Sequence, residues 1–238
     1  MSANSTKKTY LIIGGSGYLG NYFIKNLLNS GNKIIATYSN NESSVQSDDL
    51  EWHKLDIGNL LEIDQFAKLL TTHSNLRVIF LSAYHHPDRV SAHPDLAFHI
   101  NVTALSYFLT KVKNIETLYY SSTESVYGES SEGHLFCEHD NTVPANMYGR
   151  QKLIAEAIVL AHGFNVIRYA FLIGPSLTPK PHFFDYISNE VKEKRMIDMM
   201  SDFCRNPIDF DQASSLTIEL IDAYGDKQIG IVNMSGDE

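Results

Sequence analysis

The chain has 238 residues, 43% of them hydrophobic and 20% charged, so it can bury one substantial core and lacks the composition of a disordered protein. Its formal net charge of −9 argues against a general surface for nucleic acids or anionic membranes, because both require basic patches. The polar N-terminus carries no secretory apolar segment, and no run approaches the roughly 20 apolar residues of a membrane span, so we expect a cytoplasmic protein.

Short strand-like runs alternate with longer segments that carry apolar residues at helical spacing. The predicted strands are 10–13, 33–38, 52–56, 77–81, 117–121, 165–169 and 230–233. The predicted helices are 18–28, 61–70, 94–112, 146–161 and 212–223. This alternation predicts an α/β fold with a parallel sheet covered on both faces. A Pro-rich segment after the sixth strand suggests a division into a nucleotide-binding domain, 1–174, and a reduced substrate-binding lobe, 175–238, with elements that return to the core.

A glycine-rich loop follows the first predicted strand and opens the first helix. Its glycines form a Gly-x-x-Gly-x-x-Gly pattern at Gly14, Gly17 and Gly20. Such a loop allows a tight turn and lets the backbone approach a pyrophosphate, which the helix N-terminus then faces. The strand-loop-helix context therefore predicts dinucleotide binding. The residues predicted to take part are Gly14, Ser16, Gly17, Tyr18, Leu19 and Gly20.

The end of the second predicted strand bears on the choice between NAD and NADP. The sequence there is Thr37-Tyr38-Ser39-Asn40-Asn41, with neither the acid that holds the ribose of NAD nor the arginine that favours the phosphate of NADP. The missing carboxylate removes a repulsion against NADP and favours it, while NAD stays open. Asp56 and Ile57 are predicted to meet the adenine, unless Asp56 caps the following helix. The remaining predicted cofactor contacts are Tyr38, Ser39, Asn40, Leu81, Ser82 and Ala83.

Two tyrosine-lysine pairs have the four-residue spacing that places both side chains on one helix face. They are Tyr107/Lys111 and Tyr148/Lys152. Only the second follows a strand that ends in hydroxyl residues, with Thr123 at the edge where parallel sheets bind ligands. A fixed cation lowers the pKa of a neighbouring phenol from its usual ~10, so Tyr148 is the predicted proton donor and acceptor. The first pair is predicted to serve the packing and surface of its helix.

With these residues, the order of three segments carries a family resemblance. They are Ser122-Thr123-Glu124-Ser125-Val126-Tyr127-Gly128, the loop from Cys137 to Pro144, and the run from Tyr148 to Glu156. Over about residues 8–238, the chain resembles an extended short-chain dehydrogenase/reductase of the nucleotide-sugar epimerase/dehydratase superfamily, especially its dTDP-4-dehydrorhamnose reductase-like members. The resemblance implies a Rossmann-type doubly wound sheet with a small C-terminal substrate lobe. It also implies that Thr123, Tyr148 and Lys152 are catalytic, that Lys152 bonds the nicotinamide ribose, and that the protein is a homodimer.

Departures from the family pattern bear on the reaction. Sugar 4,6-dehydratases of this superfamily carry Asp-Glu after the catalytic threonine, whereas this chain has Glu124-Ser125, which counts against dehydration. Phe171 stands where many relatives place an asparagine that contacts sugar or phosphate. The interpretation that requires no further acid or base residue is NAD(P)H-dependent reduction of a nucleotide-linked 4-keto-6-deoxy sugar. Alternatives are an epimerase or dehydrogenase, and a catalytically silent NAD(P)-binding regulatory subunit.

Substrate contacts are expected around the same strand ends. The predicted residues are Thr123, Glu124, His85, His86 and Arg205. His85 and His86 are adjacent on a loop, which is not the usual spacing of metal ligands, so no metal site is expected. Cys137 and Cys204 lie far apart and form no Cys-x-x-Cys pattern, so neither a disulfide framework nor a zinc site is indicated.

Overall fold

The structure is a computed structural model that describes residues 7–130, 134–198 and 206–236. Its strands are β1 (Thr9–Ile13), β2 (Lys33–Tyr38), β3 (Leu50–Lys54), β4 (Leu76–Phe80), β5 (Ile115–Thr123), β6 (Asn165–Tyr169), β7 (Leu172–Ile173), β8 (Ile208–Asp209) and β9 (Ile231–Met234). Seven of them form one parallel sheet in the order β3-β2-β1-β4-β5-β6-β9, and β7 pairs with β8. The predicted Rossmann-type parallel sheet is thus confirmed.

Helices connect the strands and cover both faces of the sheet. They are α1 (Tyr18–Asn29), α2 (Leu60–Leu69), α3 (Pro87–Ala92), α4 (Pro94–Phe98), α5 (Leu105–Lys111), α6 (Met147–Ala161), α7 (Phe183–Lys192) and α8 (Phe210–Tyr224). A π-helical segment, His99–Ala104, joins α4 to α5, and a short 3₁₀ turn, Glu124–Val126, follows β5. Among the described residues, no helix is long and apolar enough to cross a membrane.

The alternation of side chains along the strands divides the core into two layers. On β1, Leu11 and Ile13 face the layer covered by α2, α5 and α6, whereas Tyr10 and Ile12 face the layer covered by α1 and α8. All four side chains are fully buried. Because β1 is buried on both faces, it reads in the sequence as a continuous apolar run rather than as an alternating pattern.

The C-terminal segment completes the parallel sheet and the helical layer on one of its faces. β9 pairs in parallel with β6, and α8 packs against α1 across one face of the sheet. The predicted division into domains at residue 174 stays a prediction, although β9 and α8 show which elements return to the core. α7 was not predicted, although its apolar residues follow helical spacing; it comes after the Pro-rich segment, and none of its residues is buried.

The order of the strands in the sheet sets the position of the site. β1 lies beside both β2 and β4, so the chain leaves the centre of the sheet first towards β3 and later towards β5. The crevice at the carboxyl ends of β1 and β4 is therefore the topological switch point, where open α/β sheets bind their ligands. The glycine loop after β1 and the polar end of β5 both open on this edge.

Candidate active site

The glycine loop forms a compact turn between β1 and α1. Gly14 has a φ of +91° and donates its backbone N–H to Thr37 Oγ1 at 2.9 Å. The loop lies so close to α1 that a Cβ on Gly20 would be 2.5 Å from the carbonyl oxygen of Gly15. Gly17 is the N-cap of α1, and no side chain of the described residues caps this helix end. Its N–H groups and positive dipole end are therefore available to a phosphate.

The segment after β4 adjoins the glycine loop. The N–H groups of Leu81 and Ser82 both donate to the carbonyl oxygen of Ile13, at 2.9 and 3.1 Å. A Cβ on Gly14 would lie 3.0 Å from the nitrogen of Ser82. The structure thus brings together two of the predicted cofactor-binding segments, and the narrow glycine cradle with its uncapped helix fits the pyrophosphate of a dinucleotide.

The predicted adenine side is more open. Tyr38 is half-buried with its ring 6.2 Å from that of Trp52, and Ser39 and Asn40 are exposed. Asp56 is exposed and accepts a hydrogen bond from the N–H of Gly58 at 2.9 Å. Asp56 does not cap α2, because Asn59 is the N-cap and its side chain accepts from the N–H of Leu61. Contact of Asp56 with adenine stays a prediction.

Gly20→Ala should weaken dinucleotide binding, because the new methyl group cannot fit beside the carbonyls of Gly14 and Gly15 without moving the loop. We expect a rise of about tenfold or more in the dissociation constant of NADH or NADPH, equivalent to about 1.4 kcal/mol. Fluorescence titration of the full chain measures it. Lys25→Ala, at an exposed position of the same helix, is the control and should bind normally. Equal affinity of Gly20→Ala and wild type would contradict the assigned role of the loop.

The three predicted catalytic residues lie on two adjoining elements. Thr123 ends β5, while Tyr148 and Lys152 lie on consecutive turns of α6. Asn146 caps α6 by accepting from the N–H of Gly149 at 2.9 Å. A Cβ on Gly149 would lie 2.6 Å from the carbonyl oxygen of Ser125, so the first turn of α6 packs closely on the turn that follows Thr123. This contact places the half-buried Tyr148 beside the end of β5.

The ammonium of Lys152 is buried and has specific partners. Its Nζ donates to the hydroxyl of Tyr120 at 3.0 Å and to the carbonyl of Ser121 at 2.5 Å, and it lies 5.9 Å from the ring centroid of Tyr148. Burial lowers the pKa of Lys152 to about 7, with the nearby charge of Glu156 opposing this change. Burial raises the pKa of Tyr148.

The expectation that Lys152 lowers the pKa of Tyr148 is therefore wrong for this structure. Loss of water around the phenol disfavours the phenolate, and this effect is larger than any attraction to an ammonium that is directed at Tyr120 and Ser121. Tyr148 thus holds its proton at neutral pH, as a proton donor must.

Lys152→Met should stabilise the fold while removing the functional ammonium. Because the pKa of Lys152 lies below its ordinary 10.5, the unfolded chain binds this proton more tightly. The resulting destabilisation is complete below about pH 7 and fades as pH rises towards 10.5. We expect the melting temperature of the variant at pH 6 to exceed that of wild type by about 4 °C or more. Calorimetry at several pH values measures it, with exposed Lys33→Met as control. A lower melting temperature of Lys152→Met at pH 6 would refute this account.

The second tyrosine-lysine pair has a different environment. Tyr107 donates its hydroxyl to Asp64 at 2.9 Å, and Lys111 Nζ lies 3.0 Å from the other oxygen of the same carboxylate. Hydrogen bonds from Lys111 and Tyr107 hold the pKa of Asp64 below its usual value. The pair therefore links α5 to α2, away from the end of β5.

The predicted substrate residues are only partly brought together. Thr123 donates its hydroxyl to Ser125 Oγ at 3.2 Å, and Glu124 is half-buried in the 3₁₀ turn that follows. His85 and His86 are exposed on the loop between β4 and α3. Arg205 lies outside the described residues. Phe171 packs edge-on against Phe183 of α7, with ring centroids 6.1 Å apart.

One polar residue that sequence reasoning missed connects the loop after β4 to α6. Asn101 is buried in the π-helical segment, where its Oδ1 accepts from the N–H of Tyr84 at 2.7 Å. Its Nδ2 donates to the carbonyl of Tyr84 at 3.0 Å and to Gln151 Oε1 at 2.9 Å. Gln151 directly precedes Lys152. The sequence did offer a signal, because Asn101 occupies a helix position where the spacing predicts a buried apolar residue. A buried amide is normally hydrogen-bonded, so an asparagine there indicates specific partners.

A second buried network joins α6 to β5 and β6. Arg168 on β6 donates from Nη2 to Glu156 Oε2 at 2.7 Å, and Ser122 donates to the other oxygen of Glu156. Arg168 also donates from Nη1 to the hydroxyl of Tyr127 at 2.8 Å, and this hydroxyl donates to Asn233 Oδ1 at 2.7 Å. Glu156 is one helical turn beyond Lys152, so the network fixes α6 against β5 and β6.

Comparisons with curated proteins show partial similarity. The chain is 28% identical to the UDP-glucose 4-epimerase of Halalkalibacterium halodurans over 150 residues, covering 61% of this chain and 43% of that protein. It is 30% identical to methionine adenosyltransferase 2 subunit beta of Danio rerio over 118 residues, covering 49% of this chain and 36% of that protein. The chain thus matches less than half the length of either relative.

Solved structures agree over nearly the whole chain. The UDP-glucuronic acid 4-epimerase of Bacillus cereus, solved with UDP-glucuronic acid and NAD, has a TM-score of 0.81 at 19% identity and covers 97% of this chain and 78% of that chain. A hypothetical dTDP-4-dehydrorhamnose reductase from Sulfolobus tokodaii has a TM-score of 0.78 at 25% identity, covering 97% of this chain and 77% of that chain.

The family assignment rests on a match to most of the chain. The model of the "NAD dependent epimerase/dehydratase family" matches residues 10–204, a range that includes the glycine loop, the end of β5 and the tyrosine-lysine pair of α6. With the fold and the site geometry, this match shows that the protein belongs to the NAD-dependent epimerase/dehydratase family.

Proposed function

We propose that this protein transfers hydride between a nicotinamide dinucleotide and C4 of a nucleotide-linked sugar, and that it acts as a reductase of a 4-keto-6-deoxy sugar. The observation that carries the proposal is the position of Tyr148 and Lys152 beside Thr123, at the sheet edge that also carries the glycine loop. The similarity to sugar-nucleotide epimerases and to a dTDP-4-dehydrorhamnose reductase supports the substrate class.

The roles of the residues follow from their positions. The pyrophosphate would lie against Gly14, Gly17 and the N-terminus of α1, and the nicotinamide supplies the hydride when bound. Thr123 and Tyr148 would hydrogen-bond the ketone oxygen, Thr123 by turning its O–H away from Ser125, and Tyr148 would donate its proton to that oxygen as it becomes a hydroxyl. Lys152 would bond the nicotinamide ribose and stabilise the phenolate left behind.

Two features favour reduction over the other reactions of the family. Ser125 occupies the position of the second carboxylate of dehydratases, and its hydroxyl is engaged with Thr123 at 3.2 Å. Burial keeps Tyr148 protonated at neutral pH, which suits the donor that a reduction requires. The second candidate is a 4-epimerase, favoured by the similarity to the enzyme of H. halodurans. Homodimer formation and a cytoplasmic location also stay proposals.

The cofactor is proposed as NADPH or NADH. Tyr38 ends β2, and Ser39 and Asn40 follow it without a carboxylate, which supports NADP, while the B. cereus epimerase was solved with NAD. Titration of the full chain with both reduced nucleotides decides between them. Tighter binding of NADPH by tenfold or more would match the absence of the acid.

The experiment that tests the reaction compares several nucleotide sugars with the purified full chain. A reductase consumes one NAD(P)H for each 4-keto sugar reduced, and the absorbance of the nucleotide falls in proportion. A 4-epimerase interconverts UDP-glucose and UDP-galactose without net change in absorbance. Cofactor binding without turnover of any sugar would contradict the enzymatic proposal and favour the regulatory subunit.

A further inference from the structure

Tyr120 places a polar atom of the apolar core next to the catalytic helix. It lies on β5 with 1% of its surface exposed, and its ring is 6.0 Å from that of Phe80. Its hydroxyl accepts from Lys152 Nζ at 3.0 Å, and the same nitrogen lies 4.3 Å from the centroid of its ring. Burial raises the pKa of Tyr120 well above the ordinary value, so its hydroxyl stays neutral. A tyrosine this deep in the core cannot itself reach a sugar, yet it contacts a proposed catalytic group directly.

The other charged and titratable groups around Lys152 are less directly engaged with its ammonium. Glu156, on the same helix, is bonded to Arg168 and Ser122, and the ring centroid of Tyr148 is 5.9 Å away. The remaining titratable group among the described residues that senses the charge of Lys152 is His85, whose side chain is exposed on the loop after β4. The hydrogen-bond partners of the ammonium in the described residues are Tyr120 and the carbonyl of Ser121.

The hydrogen bonds to Tyr120 and Ser121 leave one N–H donor of the Lys152 ammonium without a partner among the described residues. A lysine ammonium has three N–H donors, and a buried ammonium without partners is costly. Two of these donors are taken up by Tyr120 and Ser121, which are consecutive residues of β5. The third is left for a group that enters from the crevice.

We propose that Tyr120 is a positioning residue of this site, which favours the charged form of Lys152 and directs its remaining N–H towards the crevice. Its effect on turnover rests on the proposed function, whereas its effect on Lys152 does not. The ring contributes cation–π attraction and the hydroxyl contributes a hydrogen bond to the charged form. Tyr120→Phe removes only the hydroxyl and keeps the ring that packs on Phe80.

The neighbouring residue provides a matched control. Tyr119 is equally buried at 1% exposure, but it faces the opposite layer of the core. Its hydroxyl has no hydrogen-bond partner among the described residues. Tyr119→Phe therefore removes an identical group from the same strand without touching Lys152.

The test measures the protonation of Lys152 directly. The full chain is labelled with lysine carrying ¹³C at Cε, and the Lys152 resonance is assigned by its absence in Lys152→Met. The resonance is followed against pH in wild type, Tyr120→Phe and Tyr119→Phe. We expect Tyr120→Phe to lower the proton affinity of Lys152 by about threefold or more, and Tyr119→Phe to leave it unchanged. If the sugar assay shows turnover, the alkaline limb of its pH profile should move to lower pH in Tyr120→Phe alone.

The outcomes separate this proposal from the proposed function. An unchanged titration of Lys152 in Tyr120→Phe would overturn it, as would an equal shift in Tyr119→Phe, because a loosened core would then be the cause. A shift specific to Tyr120→Phe in a protein that turns over no sugar would support the positioning role and refute the proposed reaction. Turnover of a sugar together with an unchanged titration of Lys152 in Tyr120→Phe would support the proposed reaction and refute the positioning role of Tyr120.

Discussion

Replacing Tyr148 with phenylalanine should lower kcat of the proposed reduction by about 10²–10⁴-fold, the usual contribution of a positioned proton donor. The fold should remain intact, because the ring is retained and only the half-buried hydroxyl is lost. The binding of NAD(P)H should change little, since the glycine loop and the ammonium of Lys152 stay in place. Single-turnover measurement of NAD(P)H consumption gives the rate, and fluorescence titration gives the affinity.

The second tyrosine-lysine pair is the control for this variant. Tyr107→Phe removes a phenol with the same spacing from a lysine, but its partner is Asp64 between α5 and α2. It should leave kcat unchanged. Equal rates for Tyr148→Phe and wild type would remove Tyr148 from the mechanism, and equal losses in both variants would point to a general effect on the fold.

The pH dependence of wild type adds a second check. Lys152 carries its charge below its pKa of about 7 and loses it above that value in this structure. An ammonium that stabilises the phenolate is present only on the acidic side, so the rate of reduction should fall as pH rises through this range. Lys152→Met should lose this dependence together with most of its activity.

Much of the site could be predicted from sequence because its signals are local. The glycine spacing at Gly14, Gly17 and Gly20 fixes a turn between neighbouring elements, and the four-residue spacing of Tyr148 and Lys152 fixes a helix face. The choice between the two tyrosine-lysine pairs needed only the order of elements along the chain. The choice stays a prediction; in the structure, the first turn of α6 packs on the turn after Thr123 through Gly149.

The features that sequence reasoning missed depend on contacts between distant segments. The hydroxyl of Tyr120 meets Lys152 across 32 positions of sequence, and Asn101 meets Gln151 across 50. In the sequence, Tyr120 has the pattern of an ordinary core residue of a strand, and Asn101 is a polar residue within a predicted helix. The pKa of Tyr148 was misjudged for the same reason, because spacing reveals the nearby lysine but not the depth of burial or the other partners of the ammonium.

Arg168→Met should cause the largest loss of stability among these variants. Arg168 and Glu156 form an ion pair at 2.7 Å with side chains only 3% and 2% exposed. Removing the guanidinium leaves the carboxylate buried beside Ser122 without its cation, which typically costs about 3–5 kcal/mol. The hydrogen bond to Tyr127 is lost as well, although that hydroxyl keeps Asn233 as a partner. Urea unfolding of the full chain measures the free energy.

Two further variants decide whether burial is the cause. Arg195→Met breaks another ion pair with the same 2.7 Å separation, but Arg195 is 58% exposed, so solvent already screens the charge and we expect little change. Glu156→Gln combined with Arg168→Met leaves no charge in the buried site, so the double variant should be more stable than Arg168→Met alone. If Arg168→Met and Arg195→Met lower the free energy of unfolding equally, the network is not the structural support of α6. If only Arg168→Met lowers the free energy of unfolding and the double variant recovers it, the loss of stability comes from the isolated carboxylate of Glu156, one helical turn from Lys152.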